Sequence, residues 1–407
     1  MAHPSASIPI VATLTREPVV HRFWGGGVFF LGVGFSLGFA AWLVAGDWWD
    51  GWAFYPLLRD WHGRVQLLFF LGSFLLGFAM QAGPHLLGGT PPPSRSILPL
   101  IFPLWFGGVL WLLPDPTMKL AGQALLTLPF IWGALLLGWG PARRGDPARR
   151  LMIALPLLLG LLTMGAGPWL GSDNAEGYLW LLWCGPMIVA VAVAQHLIHQ
   201  TLGGTLPGKR ARAIHAGLWL PAWFSLTLGY GGSRLGLLPV DNGLAAKLWA
   251  LGGGLWLASL LVVVAATDLV GVIRRKGISA FALAMLLALT MAMAAATLLA
   301  IDGLKETDAI IHLLGAGSLT LLILGICPRV GSAFSGSIVV QERWLLLFVS
   351  LWTIVAVIRA ATAMGWLAQT WSLPGVILAL GVLLPWGWRL SVKLLAIRAR
   401  IPAGGFR

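Results

Sequence analysis

Charge is what this chain has least of: 10% of its 407 residues are charged, 58% are hydrophobic, and the mean hydropathy is +0.85. No soluble core hides that much apolar surface, so lipid must cover the excess. This excludes the two or three soluble domains that the length alone would suggest. Cysteine is nearly absent as well. Cys184 lies near the start of one apolar run and Cys327 near the end of another, which leaves no disulfide framework. Residues 1–20 have no short apolar core followed by a small-residue cleavage site, so the first apolar run is expected to direct insertion itself. Internal repeats, long linkers and low-complexity tracts are also missing. Pro91-Pro92-Pro93 after Gly88-Gly89 reads as a stiff turn between two spans.

What is present is a succession of apolar runs. A hydrocarbon layer of about 30 Å takes roughly 20 residues per helix. Windows of that size predict spans near 22–45, 63–86, 96–114, 118–139, 150–170, 178–200, 215–231, 244–268, 279–300, 309–328, 344–365 and 373–395, of which 96–114 and 215–231 are short and carry Pro. If these alternate, twenty Lys and Arg fall on one side, among them Arg143, Arg144, Lys209, Arg210, Arg274, Arg275 and Lys276. Six fall on the other, namely Arg59, Arg64, Lys119, Arg234, Lys247 and Lys305. Basic loops stay cytoplasmic, so both termini are expected there. The formal charge of +13 is scattered among these loops rather than gathered, and reads as a topology signal, not a nucleic-acid site. Of the 23 Trp, several stand at span ends, including Trp48, Trp49, Trp52, Trp61, Trp180 and Trp371, where an amphipathic ring favours the interface. The expected architecture is an all-α polytopic membrane helix bundle of about 12 transmembrane helices. It has a cytoplasmic tail at 1–21, one transmembrane domain at 22–398 and a second tail at 399–407, with the lipid bilayer as its surroundings.

Ionisable groups inside spans are costly, so they are where chemistry is sought. His62 opens the second span and His312 lies in the first turn or so of the tenth, both towards the outer face. His85, His196, His199 and His215 lie towards the cytoplasm. His62 and His85 are about 35 Å apart along a helix and cannot share a metal. Two imidazoles on separate helices at one depth can grip a haem from opposite faces. Arg359, about two-thirds along span 11, has a depth that suits a haem propionate. The plainer alternative stays open: His62 as an interface residue beside Trp61, and His312 bonded to a neighbouring helix. His196 and His199 are three apart and share a helix face, with His215 after a short basic loop; together, and with His85, they are candidate copper or zinc ligands or else polar helix-end residues. Gly25-Gly26-Gly27 and Gly252-Gly253-Gly254 sit within apolar spans, where small residues let helices approach, and no strand precedes them as a nucleotide loop requires.

Two stretches carry a family resemblance: Trp61-His62 through Gly77-Phe78-Ala79 to Pro84, Gly88-Gly89 and Pro91-Pro92-Pro93, and His312-Leu313-Leu314-Gly315-Ala316-Gly317 through Gly325, Arg329, Gly331 and Gly336. In these the sequence resembles the NnrS family, bacterial membrane proteins associated with haem, copper and the response to nitric oxide. Arg64 and Val65 stand where that family usually has a second histidine and an acid, and Phe334-Ser335-Gly336 where another histidine is usual. The departures imply a divergent member with a reduced metal complement. More distantly, the same stretches look like the catalytic subunit of haem-copper oxidases. His62, Phe69-Phe70 and Gly88-Gly89 match its second span, and Ile310 and His312 stand at its His-x-His pair. Arg359 is the nearest match to its propionate-binding arginines. The paired span-7 histidines that bind copper there have no counterpart, because 215–231 holds only His215.

The resemblance implies a b-type haem protein of the bacterial inner membrane with a surviving low-spin bis-histidine haem at His62 and His312. It implies copper only weakly, redox or nitric-oxide-related chemistry, and a quinol or cytochrome as electron donor. Two other classes remain: a membrane transporter or metal-handling protein, and a non-catalytic subunit of a respiratory complex.

Overall fold

Inside a bilayer each backbone N–H must find its acceptor within the chain, and an apolar segment of this length does so as a helix. The computed structural model describes residues 18–87, 92–139, 147, 150–170, 174–237, 243–335 and 338–400, and among these there is no strand. The long helices are α1 (Pro18–Ala45), α2 (Tyr55–Arg64, Val65–Leu71 and Gly72–Leu86), α3 (Ile101–Leu112), α4 (Pro116–Trp139) and α5 (Leu155–Leu170). Then come α6 (Ala175–Leu182, Trp183–Met187 and Ile188–Leu197), α7 (Lys209–Arg234), α8 (Leu244–Thr267) and α9 (Ala280–Asp302). The last three are α10 (Thr307–His312, Leu313–Leu319 and Thr320–Ser335), α11 (Glu342–Ala363) and α12 (Ser372–Arg400). Helices bounded by these elements match the expected spans closely.

Eleven helices among the described residues are long and apolar enough to cross a membrane. The remaining one is α7, which has the length, 26 residues, but a diluted apolar character. It opens on Lys209, Arg210 and Arg212 and carries Ser225, Thr227, Tyr230 and Ser233 further on. It packs along α8, where Gly252 admits the Leu226 side chain. The other expected weak span is real for a different reason: 3-10 and α turns at Ser94–Ile97 and Leu98–Leu100 lengthen α3 at its start.

The helices end where local chemistry ends them. The Asn174 side chain accepts from Gly177 N at 2.7 Å to start α6, and Ser279 does the same for Ala282 N at 3.2 Å to start α9. Glu342, first residue of α11, accepts from Ala280 N at 2.5 Å, so one helix caps another. The α6 run stops at Gly203, whose φ of 73° suits a residue without Cβ.

A pattern of four runs through the bundle. α2 and α6 are the most enclosed, 83% of each span window being buried, and α10 follows at 67% together with α5. α2, α6 and α10 each carry a π-helical turn with α-helix on both sides, at Val65–Leu71, Trp183–Met187 and Leu313–Leu319. Such turns concentrate at functional sites. The repetition is invisible in the sequence, because it lies in backbone geometry and burial rather than in residue identity. Span 2 also starts earlier than expected: helix begins at Tyr55, so His62 sits about 10 Å inside rather than at the opening.

Many tryptophans are core rather than interface. Trp48, Trp49, Trp52 and Trp371 are exposed as expected, but Trp180 is buried, stacks on Tyr230 at 5.4 Å between ring centres and donates to Thr227 Oγ1. Its position at a span end could not reveal that α7 lies over it.

Small residues bring backbones together. A Cβ on Gly122 of α4 would lie 2.4 Å from Trp111 N and 2.6 Å from Gly107 O of α3, both backbone atoms with no way to yield. Gly122→Val is therefore expected to cost about 1–3 kcal/mol, read as a lower thermal unfolding temperature of the detergent-solubilised protein.

Candidate functional site

His62 and His312 reach one enclosed space. The rings are 6.5 Å apart between centres and their planes differ by 11°. Both line a cavity of about 440 Å³ bounded by α1, α2, α6, α10 and α11. Their orientation is fixed from behind. His62 Nδ1 lies 2.7 Å from Gly34 O of α1, and His312 Nδ1 lies 2.7 Å from Asp308 O one turn earlier in α10. A carbonyl can only accept, so each Nδ1 carries the hydrogen and each Nε2 keeps its lone pair. Among the described residues neither Nε2 has a hydrogen-bond partner. Metal-binding imidazoles are commonly held in this way, by a carbonyl on the far nitrogen. The two rings are near enough that one bound metal could be reached from both.

The sequence places these rings by local means. On α1, Gly34 and Gly38 are one turn apart, and a Cβ on Gly38 would fall 2.5 Å from His62 Cε1. Only a glycine lets the imidazole lie against α1 while its Nδ1 bonds the Gly34 carbonyl. On α10, the Asp308 to His312 spacing of four puts carboxylate and ring on one face. Asp308 Oδ1 is 3.4 Å from His312 Nδ1, and Oδ2 accepts from Arg359 of α11 at 2.7 Å. Arg359 also lies over the Trp42 ring of α1, 5.8 Å from its centre. The structure thus brings together His62, His312 and Arg359, from three distant parts of the chain.

Sequence reasoning missed several neighbours. Asp308 was legible as an acid one turn before a histidine. Trp42, Gln66 and Arg59 were not, because nothing local says which helix they face; all three line the cavity. Trp42 Nε1 and Gln66 Nε2 are buried without an acceptor. The cavity wall therefore carries two imidazoles and the Arg59 and Arg359 side chains, a set suited to a ligand that brings a metal and acceptor oxygens.

Beside the cavity, Arg64 behaves as a structural residue rather than the loop charge its position suggested. Its side chain, 9% exposed, pairs with Asp60 at 3.0 Å, donates to Trp111 O of α3 at 3.1 Å and lies 4.7 Å over the Trp111 ring. Tyr178 of α6 donates to the same Asp60 at 3.1 Å. Asp60 and Arg64 together tie α2 to α3 and α6.

The inner histidines are not gathered. Among the described residues no three of His, Cys, Asp or Glu converge to hold a metal ion. His199 Nδ1 bonds Gly204 O at 2.8 Å beside the helix end, and buried His215 bonds Ser259 of α8 at 2.8 Å. His196 stays on α6, and the His85 side chain lies outside the described residues. Helix spacing put His196 and His199 on one face, but α8 takes His215 away.

Fold and cavity together define a polytopic helical membrane protein with a paired-imidazole site between its inner helices. The chain belongs to the NnrS family: the family model described as NnrS protein matches residues 26–398, nearly the whole chain. Membership sets it broadly among membrane proteins of the nitric oxide response. No curated protein matches the chain.

Arg64→Met removes charged hydrogen bonds to Asp60 and to the Trp111 carbonyl. It is expected to cost about 2–3 kcal/mol in detergent unfolding, with Asp60→Asn costing less, since Asp60 is partly solvated.

Proposed function

We propose that the protein binds one haem b in this cavity, with His62 and His312 as its two axial ligands, and serves redox chemistry in the response to nitric oxide. The observation that carries this is the pair of imidazoles 6.5 Å apart, each held by a backbone carbonyl on Nδ1. The other walls fit the same group. Apolar rings of Phe35, Phe39 and Trp352 would lie against the macrocycle, while Arg59 and Arg359 would supply donors for its carboxylates. When bound, such a haem supplies one-electron transfer, and it has no open position for a gas while both imidazoles stay on the iron. The chain itself sets the tautomers, keeps bulk water from the inner face with α2, α6 and α10, and balances the Arg359 cation with Asp308.

We further propose that the protein lies in the bacterial inner membrane with both termini cytoplasmic, on the strength of the Lys and Arg segregation. The haem would then sit towards the outer face, where a quinol or a cytochrome can reach it. A reporter fused after Arg407 that is active only in the cytoplasm is expected to be active; one active only outside would reverse the orientation.

Protein purified from haem-replete cells is expected to show the reduced absorption bands of a bis-histidine haem, and a colourless preparation would defeat the reading. His62→Ala and His312→Ala should each abolish the six-coordinate spectrum. Gly38→Val, which drives a side chain into the His62 ring, should lower haem content with both ligands still in the sequence. Arg59→Gln and Arg359→Gln each remove a cation from the cavity wall. Each is expected to weaken haem retention roughly tenfold, about 1.4 kcal/mol, in transfer of haem to apomyoglobin.

A further inference from the structure

A second cavity, open on one side, lies deeper between α2, α6 and α10, with a volume of about 110 Å³. Apart from the Cys327 thiol, its wall is hydrocarbon, including Phe74, Val189, Ala194 and Ile323. Leu71 lines both cavities, so this space and that of the paired histidines adjoin at its side chain. The three π-helical turns contribute Leu71, Pro186 and Leu319 to it, so the backbone irregularity shared by the three inner helices meets here. None of these residues takes part in the site described above except Leu71.

Size and chemistry narrow what such a space accepts. A water's share of liquid volume is about 30 Å³, and a water needs two to four polar partners, which this wall does not offer. Apolar cavities of about 150 Å³ in other proteins stay dry and take up xenon or benzene. The chamber is smaller than that and fits one or two diatomic molecules. It lies in the hydrocarbon layer, where small neutral gases dissolve more readily than in water.

We propose that this chamber is a binding site for a small apolar gas, with nitric oxide as the ligand that the family's role selects, and that the gas is held where the chamber adjoins the histidine cavity at Leu71. The chamber holds the gas by shape and apolarity alone. No bond forms or breaks, and no redox step is involved. The proposal stands on cavity geometry and not on haem binding; only the choice of nitric oxide rests on the functional reading.

Xenon is the probe, because it reports an apolar cavity with no chemistry of its own. Crystals of the full-length protein under xenon pressure are expected to show a xenon peak among Phe74, Val189 and Ala194, and anaerobic nitric oxide should lower its occupancy. Ala194→Phe, which places a phenyl ring in the chamber, should abolish the peak. Ala190→Phe, at a less buried wall position, should do so too and covers the case in which the first variant fails to fold. His62→Ala and His312→Ala should retain the xenon site, so loss of the haem reading leaves this one standing. No xenon in the wild-type chamber, or density for a lipid acyl chain filling it, overturns the proposal. Xenon that binds but is not displaced by nitric oxide overturns the choice of ligand.

Discussion

The interior of this bundle has no bulk water to complete hydrogen bonds, so each polar group placed there must be answered by another part of the chain. That constraint shapes the histidine pair more than any other feature. An imidazole has two nitrogens, and a carbonyl can satisfy only one. Gly34 O and Asp308 O take the Nδ1 hydrogens of His62 and His312, which commits both remaining lone pairs to the cavity.

The two histidines are held differently. His62 depends on a neighbouring helix and on the missing side chain of Gly38, so its position is set by packing between α1 and α2. His312 is held within its own helix turn, and its support continues through Asp308 to Arg359 and the Trp42 ring. One side of the site is therefore built from shape and the other from charge.

Arg64 illustrates how a departure from a family pattern is accommodated. Its position is one where the family resemblance led one to expect a ligand histidine, and the arginine reaches Asp60 and the Trp111 carbonyl instead. A buried cation is tolerable because a carboxylate, a carbonyl and an aromatic face all receive it. A metal at that point would have to compete with a fixed positive charge. Arg64 thus ties α2, α3 and α6 together.

Hydropathy determined that the chain is a helical bundle and which stretches form its spans, because a bilayer admits a lone backbone segment only when it is long, apolar and helical. It also marked His62, His312 and Arg359, since an ionisable residue in a span is conspicuous in one dimension. The Asp308–His312 relation was readable for the same reason, being confined to one helical turn. Tertiary structure alone decided which helices are inner, that α2, α6 and α10 share a π-helical turn, and that His215 turns to Ser259 rather than to His196 and His199. It alone set Trp42, Gln66 and Arg59 around the histidines and moved Trp180 from interface to core. Helical periodicity says which residues share a face, but which face meets which neighbour follows from the packing of small residues such as Gly38 and Gly122 across helices far apart in sequence, and no local signal encodes that pairing.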